Sequence, residues 1–136
     1  MNMFKKCLFV VFALSLISCT QSKKTTQAEI TWVSFDEQLL ESNKELPVFI
    51  NFTADYCSNC VYMENNFLKS EEFANFISEN GVFTMEITVG AENRERVKKW
   101  FGENLNSNSV PTPTYVFIND GKVKAFDENS ILNYIQ

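Results

Sequence analysis

Histidine is absent from all 136 residues. That absence removes Ser-His-Asp and Cys-His nucleophilic catalysis, together with every zinc site built on imidazole. A basic block is also missing: Lys and Arg number 12 against 17 Asp and Glu, a formal charge of −5. Phosphate backbones are held by clustered Lys and Arg, so nucleic acid is not an expected partner. Glycine (4) and proline (3) are too few for a collagenous or low-complexity chain. What remains is 45% hydrophobic and 21% charged, enough for a packed core in a chain of one-domain length. Any chemistry must come from cysteine, carboxylates, lysine, tyrosine or hydroxyls.

The hydrophobic runs are short as well. Lys5 and Lys6 precede an apolar stretch over residues 7–18, which falls short of the roughly 20 residues a membrane-spanning helix needs. It has the length of a signal-peptide core. The stretch ends Leu16-Ile17-Ser18-Cys19. This resembles the bacterial lipoprotein signal, in which a small residue precedes a cysteine that is acylated and becomes the first residue of the mature chain. The resemblance implies a cleaved segment 1–18 and a lipid on Cys19. A plain signal peptide or a buried N-terminal helix are the competing readings. Residues 19–29 are polar after the cysteine and read as the lipidated residue and a flexible tether. Loss of Lys5 and Lys6 makes the remainder still more acidic, so attachment to a membrane would rest on acyl chains rather than on anionic lipid.

Of four cysteines, Cys7 lies in the leader and Cys19 would carry the lipid. Cys57 and Cys60 remain, spaced C-x-x-C. Export would place them in an oxidising compartment. Cys57 falls where an apolar strand ends and a helix begins, and free N–H groups at a helix start stabilise a thiolate. Cys60 is one turn further along the same helix, within disulfide range. Cys57 can therefore attack a substrate disulfide, and Cys60 can resolve the mixed disulfide. Two other readings stand beside this one. A structural bridge would close a tiny loop and add little stability. A metal site would want about four N/S ligands where two thiols are on offer, so no metal is expected.

The pattern of elements is α/β, a central mixed β-sheet flanked by helices, in one domain over residues 30–136. Strands are expected at 30–33, 48–52, 82–89, 114–118 and 122–126. Ser34-Phe35-Asp36-Glu37 reads as a capping box that starts a helix, with Phe35, Leu39 and Leu40 inward. Further helices are expected from the C-x-x-C to about Phe67, after Ser70, over 92–101 and over 129–135. Residues 102–109 read as a polar loop, and Asn119-Asp120-Gly121 as a hairpin turn.

Phe52-Thr53-Ala54-Asp55-Tyr56-Cys57-Ser58-Asn59-Cys60 resembles the active site of the thioredoxin superfamily, strand followed by A-x-[WY]-C-x-x-C. A second match, Ser109-Val110-Pro111-Thr112, is similar to that family's Val/Ile-Pro-Thr loop. Ile30-Thr31-Trp32, Leu46-Pro47-Val48 and Glu86-Ile87-Thr88 bring the chain nearest the exported thioredoxin-like domain of thiol:disulfide interchange proteins of the DsbD type. The resemblance implies a thioredoxin-like fold with Cys57 and Cys60 catalytic. It implies a cis bond at Pro111 beside the disulfide, and substrate contacts from Tyr56, Val110 and Pro111. Two positions depart from the pattern. Tyr56 stands where the branch has Trp. Asn51 replaces a buried Asp that helps deprotonate the second cysteine, with Asp55 and Glu64 the nearest carboxylates in sequence.

These observations point to an exported, lipid-anchored thiol–disulfide oxidoreductase with no cofactor beyond its own redox-active disulfide. Ser58-Asn59 supplies no cation to stabilise the Cys57 thiolate, which favours a reductant or electron relay over an oxidant. Its expected partners are disulfides or dithiols of exported proteins, a membrane electron-donor protein, and the membrane itself through the N-terminal lipid. The expected location is the cell envelope, facing the periplasm or exterior. The alternatives are a thioredoxin-fold lipoprotein that binds or chaperones with an incidental disulfide, and a dithiol oxidase.

Overall fold

The computed structural model describes residues 29–136. The expected leader 1–18, the lipid-bearing Cys19 and all of the tether but Glu29 lie outside the described residues.

Five strands form one sheet in the order β1-β3-β2-β4-β5. They are β1 (Val33–Ser34), β2 (Val48–Thr53), β3 (Phe83–Thr88), β4 (Thr114–Asn119) and β5 (Lys122–Phe126). The first three run parallel, and β4 and β5 are antiparallel to their neighbours. β2 is central and its first five residues are buried, as its nearly unbroken apolar run requires. The β4–β5 connection turns at Asp120 and Gly121, both with positive φ (50° and 71°), the geometry that an Asp-Gly pair supplies in a two-residue hairpin.

Helices cover both faces. α1 (Glu37–Ser42) and α4 (Arg94–Leu105) lie on one side. There Phe35, Val97, Trp100 and Phe101 pack against Val48, Ile50, Phe52, Met85 and Val116. α2 (Ser58–Met63), α3 (Glu71–Glu79) and α5 (Glu128–Ile135) lie on the other. Met63, Phe67, Phe73, Ile77 and Ile131 enclose Phe49, Tyr115 and Phe117 there. α2 continues directly into a π-helical turn, Glu64–Leu68. Ser70 caps α3 through the Phe73 N–H, and Asp127 caps α5 through the N–H groups of Asn129 and Ser130.

Local signals went astray in three places. Ser34 does not cap α1. It belongs to β1, paired with Glu86, and Asp36 accepts the Leu39 N–H instead. Pairing with β3 also moves the first strand from 30–33 to its observed place. Gly102 does not open a loop: α4 runs through it to Leu105 and stops at Asn106, which takes the left-handed conformation (φ 53°). The third case concerns Pro111 and bears on the site.

Candidate active site

The site forms where β2 ends. Thr53 closes the strand, and Tyr56 then adopts a left-handed backbone (φ 56°) with its ring wholly in solvent. A bulky side chain at positive φ is costly, by roughly 1–2 kcal/mol, and such residues cluster at functional sites. Cys57 is the N-cap of α2. Its sulfur accepts the Cys60 backbone N–H at 3.2 Å, so the start of the helix donates to the sulfur. Cys57 and Cys60 form a disulfide with Cα atoms 5.2 Å apart. The two sulfurs differ in access: Cys57 is half-buried, whereas Cys60 is 6% exposed beneath the helix. A partner can reach the first and not the second. Asn59, inside the motif, donates to the Glu128 carboxylate at 3.0 Å and ties the C-x-x-C turn to the first turn of α5.

The loop beside the disulfide is the expected one but shifted by two residues. The cis peptide bond precedes Pro113, not Pro111. Pro111 is exposed, and its carbonyl accepts the Thr114 hydroxyl. Pro113 is buried. The backbone that lies against Cys57 is that of Thr112, its carbonyl oxygen 3.7 Å from the sulfur. Val110 instead packs partly against the α1/α4 core. The reason is register. Thr114 opens β4 opposite Phe52 at the active-site end of β2, so the residues immediately before Thr114 lie beside Cys57. The sequence Val-Pro-Thr-Pro-Thr offers two prolines, and only strand pairing distinguishes them.

Behind Cys60 the sheet is polar. Asn51 is 6% exposed on β2, with Glu86 of β3 on one side and Tyr115 of β4 on the other. A cavity of about 660 Å³ reaches Cys60 and is lined by Asn51, Thr53, Glu64, Glu86 and Arg96 among others. Glu64 is therefore near Cys60, where it pairs with Lys69 at 2.9 Å. Asp55 is exposed on the loop and is not part of this lining. Glu86, an exposed residue of β3, is the other carboxylate of this lining, and sequence reasoning did not single it out as a neighbour of Cys60. Burial, with the Glu128 charge adding to it, pushes the Tyr115 phenol well above its usual range, so it stays protonated at neutral pH.

A parallel and antiparallel five-stranded sheet, a disulfide at the head of the helix after its central strand, and a proline loop against that disulfide define a thiol–disulfide oxidoreductase of thioredoxin-like fold. Comparison with known proteins gives the same answer. A thioredoxin-like family model matches residues 31–120, and the chain belongs to that family. Among solved structures, a DsbH oxidoreductase is similar at 25% identity over 73% of each chain, with a TM-score of 0.54. A thioredoxin from Fasciola hepatica is similar at 29% identity, over 73% of this chain and 86% of that one, with a TM-score of 0.50. A disulphide isomerase from Xylella fastidiosa shares the fold at 18% identity, over 79% and 95% of the two chains, with a TM-score of 0.51. No curated protein matches the sequence significantly. No helix among the described residues is long and apolar enough to cross a membrane.

Proposed function

We propose that this oxidoreductase is exported, held at the membrane by lipid on Cys19, and passes electrons from its dithiol to disulfides of exported proteins. The observation that carries the reading is the unequal access of the two sulfurs. In the reduced protein Cys57 attacks a substrate disulfide, forming the mixed disulfide and releasing one substrate thiolate. Cys60 then attacks the Cys57 sulfur, closes the Cys57–Cys60 disulfide and releases the second substrate thiolate. Two electrons leave the dithiol, and the protons of the two cysteines balance the two thiolates. Tyr56, exposed at the mouth of the site, and the backbone of Thr112 before Pro113 form the surface that meets the substrate chain. The roles expected of Val110 and Pro111 pass to Thr112 and Pro113 by the two-residue shift. The reducing direction is supported by Ser58 and Asn59: neither carries a charge that would hold the Cys57 thiolate, and Asn59 is engaged with Glu128. A membrane protein would return electrons to the disulfide. Export and lipidation are supported by the basic, apolar, Leu-Ile-Ser-Cys series at the N-terminus.

Trapping in cells that make the full-length chain tests the whole reading. Cys60→Ser should accumulate mixed disulfides with exported proteins in the membrane fraction, and Cys57→Ser should accumulate none. Adding Cys19→Ala to Cys60→Ser should release the trapped complexes from that fraction or block processing. Equal trapping by both single variants would overturn the assignment of roles. Complexes that stay with the membrane without Cys19 would overturn the lipid anchor.

A further inference from the structure

Asn51 poses a question that the site leaves open. Its side chain forms no hydrogen bond with any described residue, although the residue is 94% buried by its 6% exposure. Among the described residues no polar side-chain atom sealed from solvent lacks a partner, so the Asn51 amide opens into the 660 Å³ cavity. A cavity of that size with polar walls holds water. It reaches Cys60, the thiol that must lose a proton before it can resolve a mixed disulfide.

The cavity also contains a place for that proton to go. Asn51 and Glu86 are register partners on adjacent parallel strands. Their side chains point to the same face, opposite to Ile50, Phe52 and Met85 in the α1/α4 core. The charged groups around them are accounted for. Glu64, from the π-helical turn, is paired with Lys69. Arg96, from α4, pairs with Glu37 of α1 at 3.5 Å and donates to the Phe35 carbonyl at 3.3 Å. Tyr115, on β4, is held protonated by burial. Glu86 is the cavity-lining carboxylate that forms no ion pair among the described residues.

We propose that Glu86 accepts the Cys60 proton through water ordered by the Asn51 amide, so that proton release runs sideways across the sheet to β3. The proposal rests on the dithiol reading of Cys57 and Cys60 above. In the mixed disulfide the Cys60 S–H bond breaks, and its proton moves through water to the Glu86 carboxylate. The Cys60 sulfur then forms its bond to Cys57 as the Cys57–substrate bond breaks, and the departing thiolate takes up a proton from solvent. Asn51 does not titrate. It donates and accepts hydrogen bonds along the route, as an amide can at any pH. Glu86 acts through water and Asn51, as a positioning and proton-accepting group that does not touch the reacting sulfurs.

The test is the pH profile of resolution, measured by stopped flow on the glutathione mixed disulfide of Cys57 in the folded protein. Glu86→Gln keeps the size of the side chain and should slow resolution about tenfold near pH 6. Its rate should converge with wild type above about pH 9, where solvent hydroxide deprotonates Cys60 directly. Glu86→Asp should recover part of the loss, and Glu64→Gln should retain the wild-type profile. Superimposable profiles for wild type and Glu86→Gln would overturn the role of Glu86 alone. So would a slowing by the same factor at every pH, which marks a structural effect, or a displaced profile in Glu64→Gln only. A wild-type protein that forms no mixed disulfide at Cys57 would overturn the dithiol reading and this proposal with it.

Discussion

On the side of β2 that faces α1 and α4, Phe52 meets Phe35, Trp100 and Phe101 at ring separations of 5.5, 5.7 and 4.8 Å. Ile50 and Val48 continue the same dry surface. On the opposite side Phe49 begins in a similar way, against Phe73 and Tyr115 at 5.0 and 5.8 Å. The next residue on that face is Asn51, then Thr53, and the lining becomes polar as it approaches Cys60. One strand thus serves two purposes by alternation. Its α1/α4 face is apolar along its whole length and holds the sheet to the helices. Its other face is apolar at one end and wet at the other, because a thiol that must ionise needs polar surroundings. The strand that carries the chain to Cys57 is anchored by the dry face, so the polar end can open to water without loosening the site.

The largest expected effect breaks the dry side. Phe52→Ala should lower unfolding stability by about 3–5 kcal/mol, since a fully buried ring with three aromatic neighbours leaves a cavity that the sheet cannot close. Urea unfolding of the oxidised protein measures it. A loss below about 1 kcal/mol would mean that the α1/α4 face does not anchor the strand.

Asn51→Asp probes the wet side and should have a smaller effect, about 1–3 kcal/mol of lost stability near neutral pH. The sign follows from burial and from Glu86 beside it. Both raise the folded-state pKa of a carboxyl at this position, so the ionised form is the penalised one. The loss should therefore shrink as pH falls toward the unfolded carboxyl pKa, and it should grow and level off above the folded value. Thermal melts near pH 5 and pH 7 check this. The same variant should speed resolution of the mixed disulfide near pH 7, because a base then stands closer to Cys60. An equal loss of stability at both pH values would identify a packing defect instead.

The smallest effect lies outside both faces. Tyr56→Gly removes a side chain that buries nothing and frees the backbone from positive φ. Stability should stay level or rise by up to about 1 kcal/mol, the relief being partly offset by the entropy of glycine in the unfolded chain. Reduction of protein disulfides should slow more than reduction of oxidised glutathione, which is too small to use the ring. A clear drop in melting temperature would show that Tyr56 supports the fold.

Much of this was legible along the chain. The run Val48–Thr53, the Ser70 cap, the Asp120-Gly121 turn and the position of Cys57 at a helix start all rest on interactions within a few residues. Such interactions leave a local pattern of hydrophobicity, caps and turn residues. Ser34 shows where that pattern misleads. Ser-x-x-Glu favours a cap, yet hydrogen bonding to β3 claimed Ser34 for the sheet and left capping to Asp36. The loop at 109–114 is similar: its composition announces a turn beside the active site, but not which proline stands against the disulfide.

The sequence by itself determined the α/β class, the C-x-x-C at the end of a buried strand, and the absence of imidazole or a basic surface from the chemistry. Tertiary structure decided that Thr112 and Pro113, rather than Val110 and Pro111, flank Cys57, and that Asn51 lies next to Glu86 across a cavity shared with Cys60. The physical reason is that strand register is set by pairing between segments far apart in sequence. Asn51 and Glu86 are brought together by a β2–β3 ladder running from Val48 and Phe83 to Thr53 and Thr88, and shifting that ladder by one residue would turn Glu86 to the opposite face.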